Sequence, residues 1–310
     1  MHIAGAYYFD LLYLNVDKCF VTRRIGSEMV ITRPNIFFLC MHKAGSTFVA
    51  DVLFNSLARR TALYDLFHVG SFLIRYVKQQ QESNGMSPAK SPQERQEQLE
   101  AFLHDTPIPQ SNGLIGRLYP GHMSTIEKVL EEPLPNEGNK LLVMRRDPRD
   151  ALISLYFSMA LSHNPNEVEG DNAAFLKNRE DLMKHRDDVR QGIKELLTKP
   201  GMDSTMPEFL HCTDLILQND DVIDLPYELM INDPYLWLAK FVDGTEMTDV
   251  VDECWMDEMA ENLRPPSVED PNCHKRRMKP GNWMEIFDDE LKQIVSEKLG
   301  DRLTTFGYQW

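Results

Sequence analysis

Two groups of residues in this chain have the types and spacing to bind anions. The first is Lys43, Gly45, Ser46 and Thr47, in the run Phe37-Phe38-Leu39-Cys40-Met41-His42-Lys43-Ala44-Gly45-Ser46-Thr47-Phe48. The second is Arg146 and Ser154, in the run Leu141-Leu142-Val143-Met144-Arg145-Arg146-Asp147-Pro148-Arg149-Asp150-Ala151-Leu152-Ile153-Ser154-Leu155-Tyr156. In each, an apolar run stops at a basic or small-residue turn and a helical pattern follows. That arrangement aims backbone N–H groups and a cation at a negative charge. Two such sites imply a ligand with phosphates at both ends.

The elements that must position these residues are readable on either side of them. Asn35 to Cys40 carries no charge and predicts a strand buried on both faces. Phe48, Val49, Val52, Leu53 and Leu57 recur at helical spacing from Ser46 onward. Gly45 lets backbone approach a ligand, Ser46 and Thr47 add hydroxyls beside the free amides of a first helical turn, and Lys43 brings an ammonium. A triphosphate loop of the form Gly-x-x-x-x-Gly-Lys-Ser/Thr carries its lysine after the second glycine. Here Lys43 precedes the glycine, which disfavours ordinary kinase or GTPase chemistry. The plainer alternative is a helix start capped by Ser46 with an incidental lysine. In the second run, Lys140 to Met144 predicts another buried strand and Pro148 suits the first turn of the helix that follows. Ser154 lies eight residues beyond Arg146, roughly 12 Å at 1.5 Å per residue, so both reach one phosphate only if the helix runs beside it. Otherwise Arg146 pairs with Asp147 or Asp150 on a solvated face.

Gly113 to Leu118 and Val222 to Leu225 are further strand candidates. With helical patterns between the strands, the order predicts an α/β fold: a central parallel β-sheet flanked by helices, in a single domain. Gln79 to Gln98 is polar and turn-rich; a helix is expected from near Pro92, with a mobile loop before it. Asn164 to Asn172 reads as a second loop. The chain has 310 residues, 42% hydrophobic and 26% charged, which suits a soluble globular enzyme. Its formal charge of −15 argues against duplex nucleic acid and anionic membranes as partners. Five cysteines without a Cys-x-x-Cys spacing suggest neither a metal site nor a disulfide framework, so no metal and a reducing, cytoplasmic location are expected. There is no apolar stretch of eighteen residues and no basic leader. Acidic runs at Asn219 to Asp221 and Asp252 to Glu258 read as solvated faces, or as a bias toward a neutral or cationic small molecule.

Lys-x-Gly-Ser-Thr after the first strand and Arg-Asp-Pro-x-Asp-x-x-x-Ser-x-Tyr in the second run resemble the two nucleotide-binding signatures of sulfotransferases that use 3'-phosphoadenosine 5'-phosphosulfate, PAPS. His274 to Trp283 is similar to the basic C-terminal segment of the cytosolic members, with Arg276, Arg277, Gly281 and Trp283 matching. Met278 and Asn282 depart from a glycine and an aspartate there. Leu225-Pro226-Tyr227-Glu228-Leu229-Met230 resembles the family's element whose tyrosine lies near the adenine; at position 256, where the family often has an aromatic, this chain has Met256 with Trp255 beside it.

The resemblance implies a P-loop-like phosphosulfate-binding loop and a sulfotransferase domain over 35–310; residues 1–34 have no counterpart in its motifs, and Tyr7, Tyr8, Phe9, Leu11, Leu12 and Tyr13 are too apolar for a free tail, so an N-terminal extension packed on the core is expected. It implies that Lys43, Ala44, Gly45, Ser46, Thr47 and Phe48 surround the 5'-phosphate and that Arg146, Ser154, Arg276 and Arg277 bind the 3'-phosphate. Tyr227 would lie near the adenine. Lys43 would stabilise the leaving phosphate, and the segment from Leu263 to Lys279 would close over the nucleotide. The family's base is a histidine after the corresponding strand, and Gly121-His122 is similar to that segment; a histidine near pKa ~6.5 suits the task. A structural histidine capping the next helix is the alternative, and His42 reads as a loop-shaping residue. The expected activity is transfer of the sulfuryl group from PAPS to a hydroxyl or amine of a small molecule. The competing readings are a non-catalytic relative that holds PAP, the 3',5'-bisphosphate product, and a degenerate P-loop phosphotransferase. The acceptor and the oligomeric state are not legible.

Overall fold

The first strand is uncharged from end to end, and all six of its residues, Asn35–Cys40, are buried. A computed structural model describes residues 32–85, 91–159, 188–264 and 279–310. The expectations for residues 1–31, for the loop at 164–172 and for Arg276, Arg277 and most of the segment 263–279 lie outside the described residues. Five strands, β1 (Asn35–Cys40), β2 (Asp65–His68), β3 (Gly113–Leu118), β4 (Asn139–Met144) and β5 (Ile223–Asp224), form one sheet in the order β2-β3-β1-β4-β5. Every pairing is parallel, so all C-terminal ends share one edge, where α/β sheets build their ligand sites.

The connections are helical. A π-helical turn at Phe48–Leu53 leads into α1 (Phe54–Thr61), and α2 (Val69–Asn84) and α3 (Pro92–Asp105) join β2 to β3. Then come α4 (Met123–Leu130), α5 (Pro148–Phe157), α6 (Val189–Thr198), α7 (Thr205–Gln218), α8 (Tyr227–Asn232), α9 (Pro234–Gly244), α10 (Glu253–Asn262), α11 (Trp283–Ile286), α12 (Asp289–Leu299) and α13 (Arg302–Thr305). The central core is aromatic and aliphatic: Phe37, Phe38, Phe54, Phe209, Trp237 and Phe241 are all fully buried. Arg33–Trp310 is one compact unit.

Two sequence expectations are corrected in detail, and one strand is added. The strand read at Val222 to Leu225 is paired only over Ile223–Asp224. Gln79 to Asn84 is not loop: α2 runs to Asn84 and ends at Gly85, whose φ of 66° is the left-handed conformation that stops helices. Glutamine and glutamate are good helix formers, and the partly buried Phe72, Leu73 and Tyr76 hold the preceding turns against the core. The strand β2 was not anticipated, because four residues beginning with an exposed aspartate show no alternation of their own and are held by pairing with β3. The helix at Pro92 is as expected, with Ser91 Oγ accepting from Glu94 N–H.

The acidic runs serve local structure. Asp252 caps α10 by accepting from Trp255 N–H at 2.8 Å and pairs with Arg60. Trp255 is core, with its indole N–H donated to Ser56 Oγ. No helix of the described residues is long and apolar enough to cross a membrane.

Candidate functional site

The loop after β1 turns sharply where the sequence predicts. Lys43 has φ 64° and Gly45 φ 97°, so two left-handed residues bracket Ala44. The φ of Gly45 favours glycine, and a Cβ there would also press on the ends of two methionines, 3.0 Å from Met144 Cε and 3.1 Å from Met230 Cε. The N–H of Ala44 donates to Met41 O at 3.3 Å and that of Phe48 to Gly45 O at 3.0 Å. The N–H groups of Lys43, Gly45 and Ser46 take no partner among the described residues, which leaves a concave row of donors at a helix start. The side chains of Ala44 and Phe48 are buried, Phe48 edge-on to Trp237 at 6.1 Å, so these residues can offer an anion only their backbone.

Lys43 donates from Nζ to Ser158 Oγ at 2.5 Å. Burial, reinforced by the nearby Arg146 guanidinium, lowers its pKa to about 8. A cation kept in poor solvent beside a second cation gains most from an incoming anion.

Arg146 joins the two anion-binding runs. It is buried, donates from Nη1 to the carbonyl of Lys43 at 2.7 Å, and lies with Cζ 4.2 Å over the Tyr227 ring. Its Nε is buried with no partner among the described residues. Tyr227 is held by its N–H to Arg145 O at 2.8 Å and also borders Gly45; here it is a floor for Arg146. Neither Asp147 nor Asp150 pairs with Arg146 in a salt bridge. Asp147 binds Arg149, whose guanidinium is packed on Trp283 at 3.7 Å, and Asp150 accepts from the N–H groups of Gly281 and Trp283 at 2.6 and 2.8 Å. Arg145 is bidentate to Asp224, both contacts at 2.9 Å. Of the arginines at the end of β4, Arg145 and Arg149 are structural and Arg146 faces the loop.

Ser154 is half-buried on α5, one turn before Ser158 and so on the same face. Ser158 was missed by the sequence reading, although its i, i+4 relation to Ser154 was there to be seen.

Beyond β3 the chain makes a tight 3-10 turn at Pro120–His122 before α4. His122 Nδ1 accepts a long hydrogen bond, 3.4 Å, from Tyr119 N–H, and burial beside His42 lowers its pKa to about 4. The Tyr119 ring stands edge-on to His122 at 5.7 Å and stacks flat on His42 at 4.1 Å with 7° between planes. Glu208 on α7 accepts from His42 N–H at 2.5 Å through Oε2 and bonds His42 Nδ1 through Oε1. Glu208 carries no signal of this role in the sequence, lying 166 residues from its partner. Lys43, Arg146, Tyr227, His42 and His122 are thus gathered at one edge of the sheet, while Arg276 and Arg277 lie outside the described residues.

The fold recurs in solved structures. Mouse sulfotransferase SULT7A1 complexed with PAP matches over 88% of this chain and 84% of its own, with TM-score 0.52 and 14% identity. The fold is that of the sulfotransferases. Retinol dehydratase, in complex with androsterone and the inactive cofactor PAP, matches over 91% of this chain and 84% of its own, with TM-score 0.53 and 17% identity. Its complex with retinol and PAP matches over the same shares with TM-score 0.50 and 16% identity. No family model and no curated protein matches the chain.

Proposed function

We propose that this protein transfers the sulfuryl group of PAPS to a hydroxyl or amine of a small molecule. The observation that carries the reading is the hydrogen bond from Arg146 to the Lys43 carbonyl, which locks the two anion-binding elements of a sulfotransferase fold into one site. The residues present fit a nucleoside 3',5'-bisphosphate. The N–H groups of Lys43, Gly45 and Ser46, in a turn whose left-handed Gly45 disfavours a side chain, are assigned to the 5'-phosphate. Arg146, with a buried Nε left over, Ser154, and Arg276 and Arg277 are assigned to the 3'-phosphate, and Tyr227 to the adenine end. Retinol dehydratase and mouse SULT7A1, whose fold this chain shares, hold PAP.

The chemistry follows from charge. The acceptor attacks sulfur in line with the bridging oxygen, negative charge builds on the leaving phosphate, and Lys43 is assigned to meet that charge. The acceptor's proton is assigned to an imidazole beyond the ends of β1 and β3, where His122 and His42 both lie against the Tyr119 ring. The formal charge of −15 favours a neutral or cationic acceptor over a polyanion. A reducing compartment, the cytoplasm, suits the free thiols of Cys40, Cys212 and Cys254. The test is release of PAP from PAPS in the presence of a panel of phenols, aliphatic alcohols and amines. Acceptor-dependent release supports transfer; PAP binding without release under any acceptor favours the non-catalytic relative, and binding of magnesium ATP in place of PAP favours a phosphotransferase.

A further inference from the structure

The two imidazoles at the site are held in opposite senses. A carboxylate only accepts, so Glu208 requires a proton on Nδ1 of His42 and leaves the lone pair of the neutral ring on Nε2. His122 is the reverse: its Nδ1 accepts from Tyr119 N–H, which puts the single proton of the neutral ring on Nε2. On that geometry His42 presents an acceptor to the site and His122 a donor. We infer that His42, oriented by Glu208, takes the proton from the sulfuryl acceptor, and that His122 orients the acceptor or the sulfuryl oxygens by donating a hydrogen bond. The inference rests on the transfer reading above.

Position and support agree with this assignment. His42 adjoins Lys43, so the base and the cation of the leaving group are carried by consecutive residues of one loop. Glu208 takes both the backbone N–H and the ring nitrogen of His42, fixing the chain and the imidazole together, and the flat stack on Tyr119 fixes the ring plane. The His42 side chain is 40% exposed while that of Glu208 is 12% exposed, so the ring is within reach of a substrate and its orienting group is sheltered. The titratable groups around His42 are Glu208 from α7, Tyr119 and His122 from the end of β3 and the turn beyond it, and Lys43 in the loop.

The step balances. The acceptor oxygen or nitrogen forms a bond to sulfur as the bond from sulfur to the bridging oxygen breaks. That electron pair stays on the phosphate of PAP beside Lys43. The acceptor's proton moves to Nε2 of His42, and the resulting imidazolium is compensated by the Glu208 carboxylate until it loses the proton to solvent. His42 is the catalytic residue here and Glu208 a positioning residue.

Two measurements on the full chain test the assignment. Nitrogen-15 spectra of the imidazoles in the PAP complex, assigned with His42→Asn and His122→Asn, are expected to show the Nδ1–H form for His42 and the Nε2–H form for His122. In PAPS turnover with the best acceptor of the panel, His42→Asn is expected to lower kcat about 10²- to 10⁴-fold with the Kd of PAP changed less than about threefold, and His122→Asn to cost less than about tenfold. Glu208→Gln keeps a hydrogen bond and loses the charge; it is expected to lower kcat and move the acid limb of the kcat/KM profile to lower pH, which a purely structural role does not do. An Nε2–H form at His42, or a loss in His122→Asn that matches or exceeds that of His42→Asn, overturns the proposal. If wild type releases no PAP from PAPS with any acceptor of the panel, the transfer reading itself fails and this assignment with it, whatever form the rings take.

Discussion

Lys43 combines a left-handed backbone, a half-buried ammonium and a neighbouring guanidinium, and each feature has a measurable consequence. With its pKa near 8 in the free protein, Lys43 carries full charge below that pH and loses it above. PAP affinity is therefore expected to fall as pH rises through about 8, by up to about tenfold per unit. Titration calorimetry over pH 7 to 9.5 checks this: the slope should vanish in Lys43→Arg, which stays charged, and Lys43→Ala should lose affinity and slope together while kcat falls about 10²- to 10³-fold. An unchanged slope in Lys43→Arg would assign the titration to another group. Arg146→Lys keeps a charge but loses the fork to the Lys43 carbonyl and the packing on Tyr227. PAP is expected to bind it about 10- to 100-fold more weakly, with a smaller loss for a ligand lacking the 3'-phosphate; equal losses for both ligands would remove Arg146 from the 3'-phosphate.

Among the elements, those that position the anion-binding residues were the most legible. Asn35–Cys40 and Gly113–Leu118 run as read, and β4 begins one residue earlier than the run from Lys140, because strands buried on both faces show as apolar runs that end abruptly. Short β2 and the extension of α2 through Gln79 to Asn84 depend on neighbours, and polar composition alone misled. The partners within the site were less legible than the site itself. Lys43 was found by its motif, whereas Ser158, which holds its ammonium, and Glu208, which holds His42, are far along the chain and were brought near only by α5 and α7. The loop after β1 is also tightly constrained, with Lys43 and Gly45 both left-handed. Gly45→Ala is expected to destabilise the fold by about 1–3 kcal/mol, since φ 97° is strained for alanine and the added methyl meets Met144 and Met230. Chemical denaturation reads the loss, and an alanine variant as stable as wild type would show that the loop can relax without cost.

For the whole molecule, a parallel sheet places every strand's C-terminal end at one edge, and there the buried His68 and the half-buried His122 act on stability as well as chemistry. His68, at the end of β2, has both ring nitrogens buried without partners, and its pKa is lowered to about 4 by burial together with Arg117 and Arg75; His122 is lowered to about 4 by burial and His42. In the unfolded chain both take a proton near pH 6.5, so folding resists their protonation. Stability should be full above about pH 6.5 and decline as pH falls toward 4, by on the order of 3 kcal/mol per histidine. His68→Leu should flatten that decline in denaturation curves between pH 4 and 7; an unaltered decline would mean that His68 gains a partner on protonation.

The central claim, that the joined loop and Arg146 hold a nucleoside 3',5'-bisphosphate, is tested most directly by calorimetric titration of the full chain with PAP, adenosine 5'-phosphosulfate and magnesium ATP side by side. Tight binding of PAP with weak binding of the other two is the expected result; preference for magnesium ATP, or no binding of PAP, would contradict it.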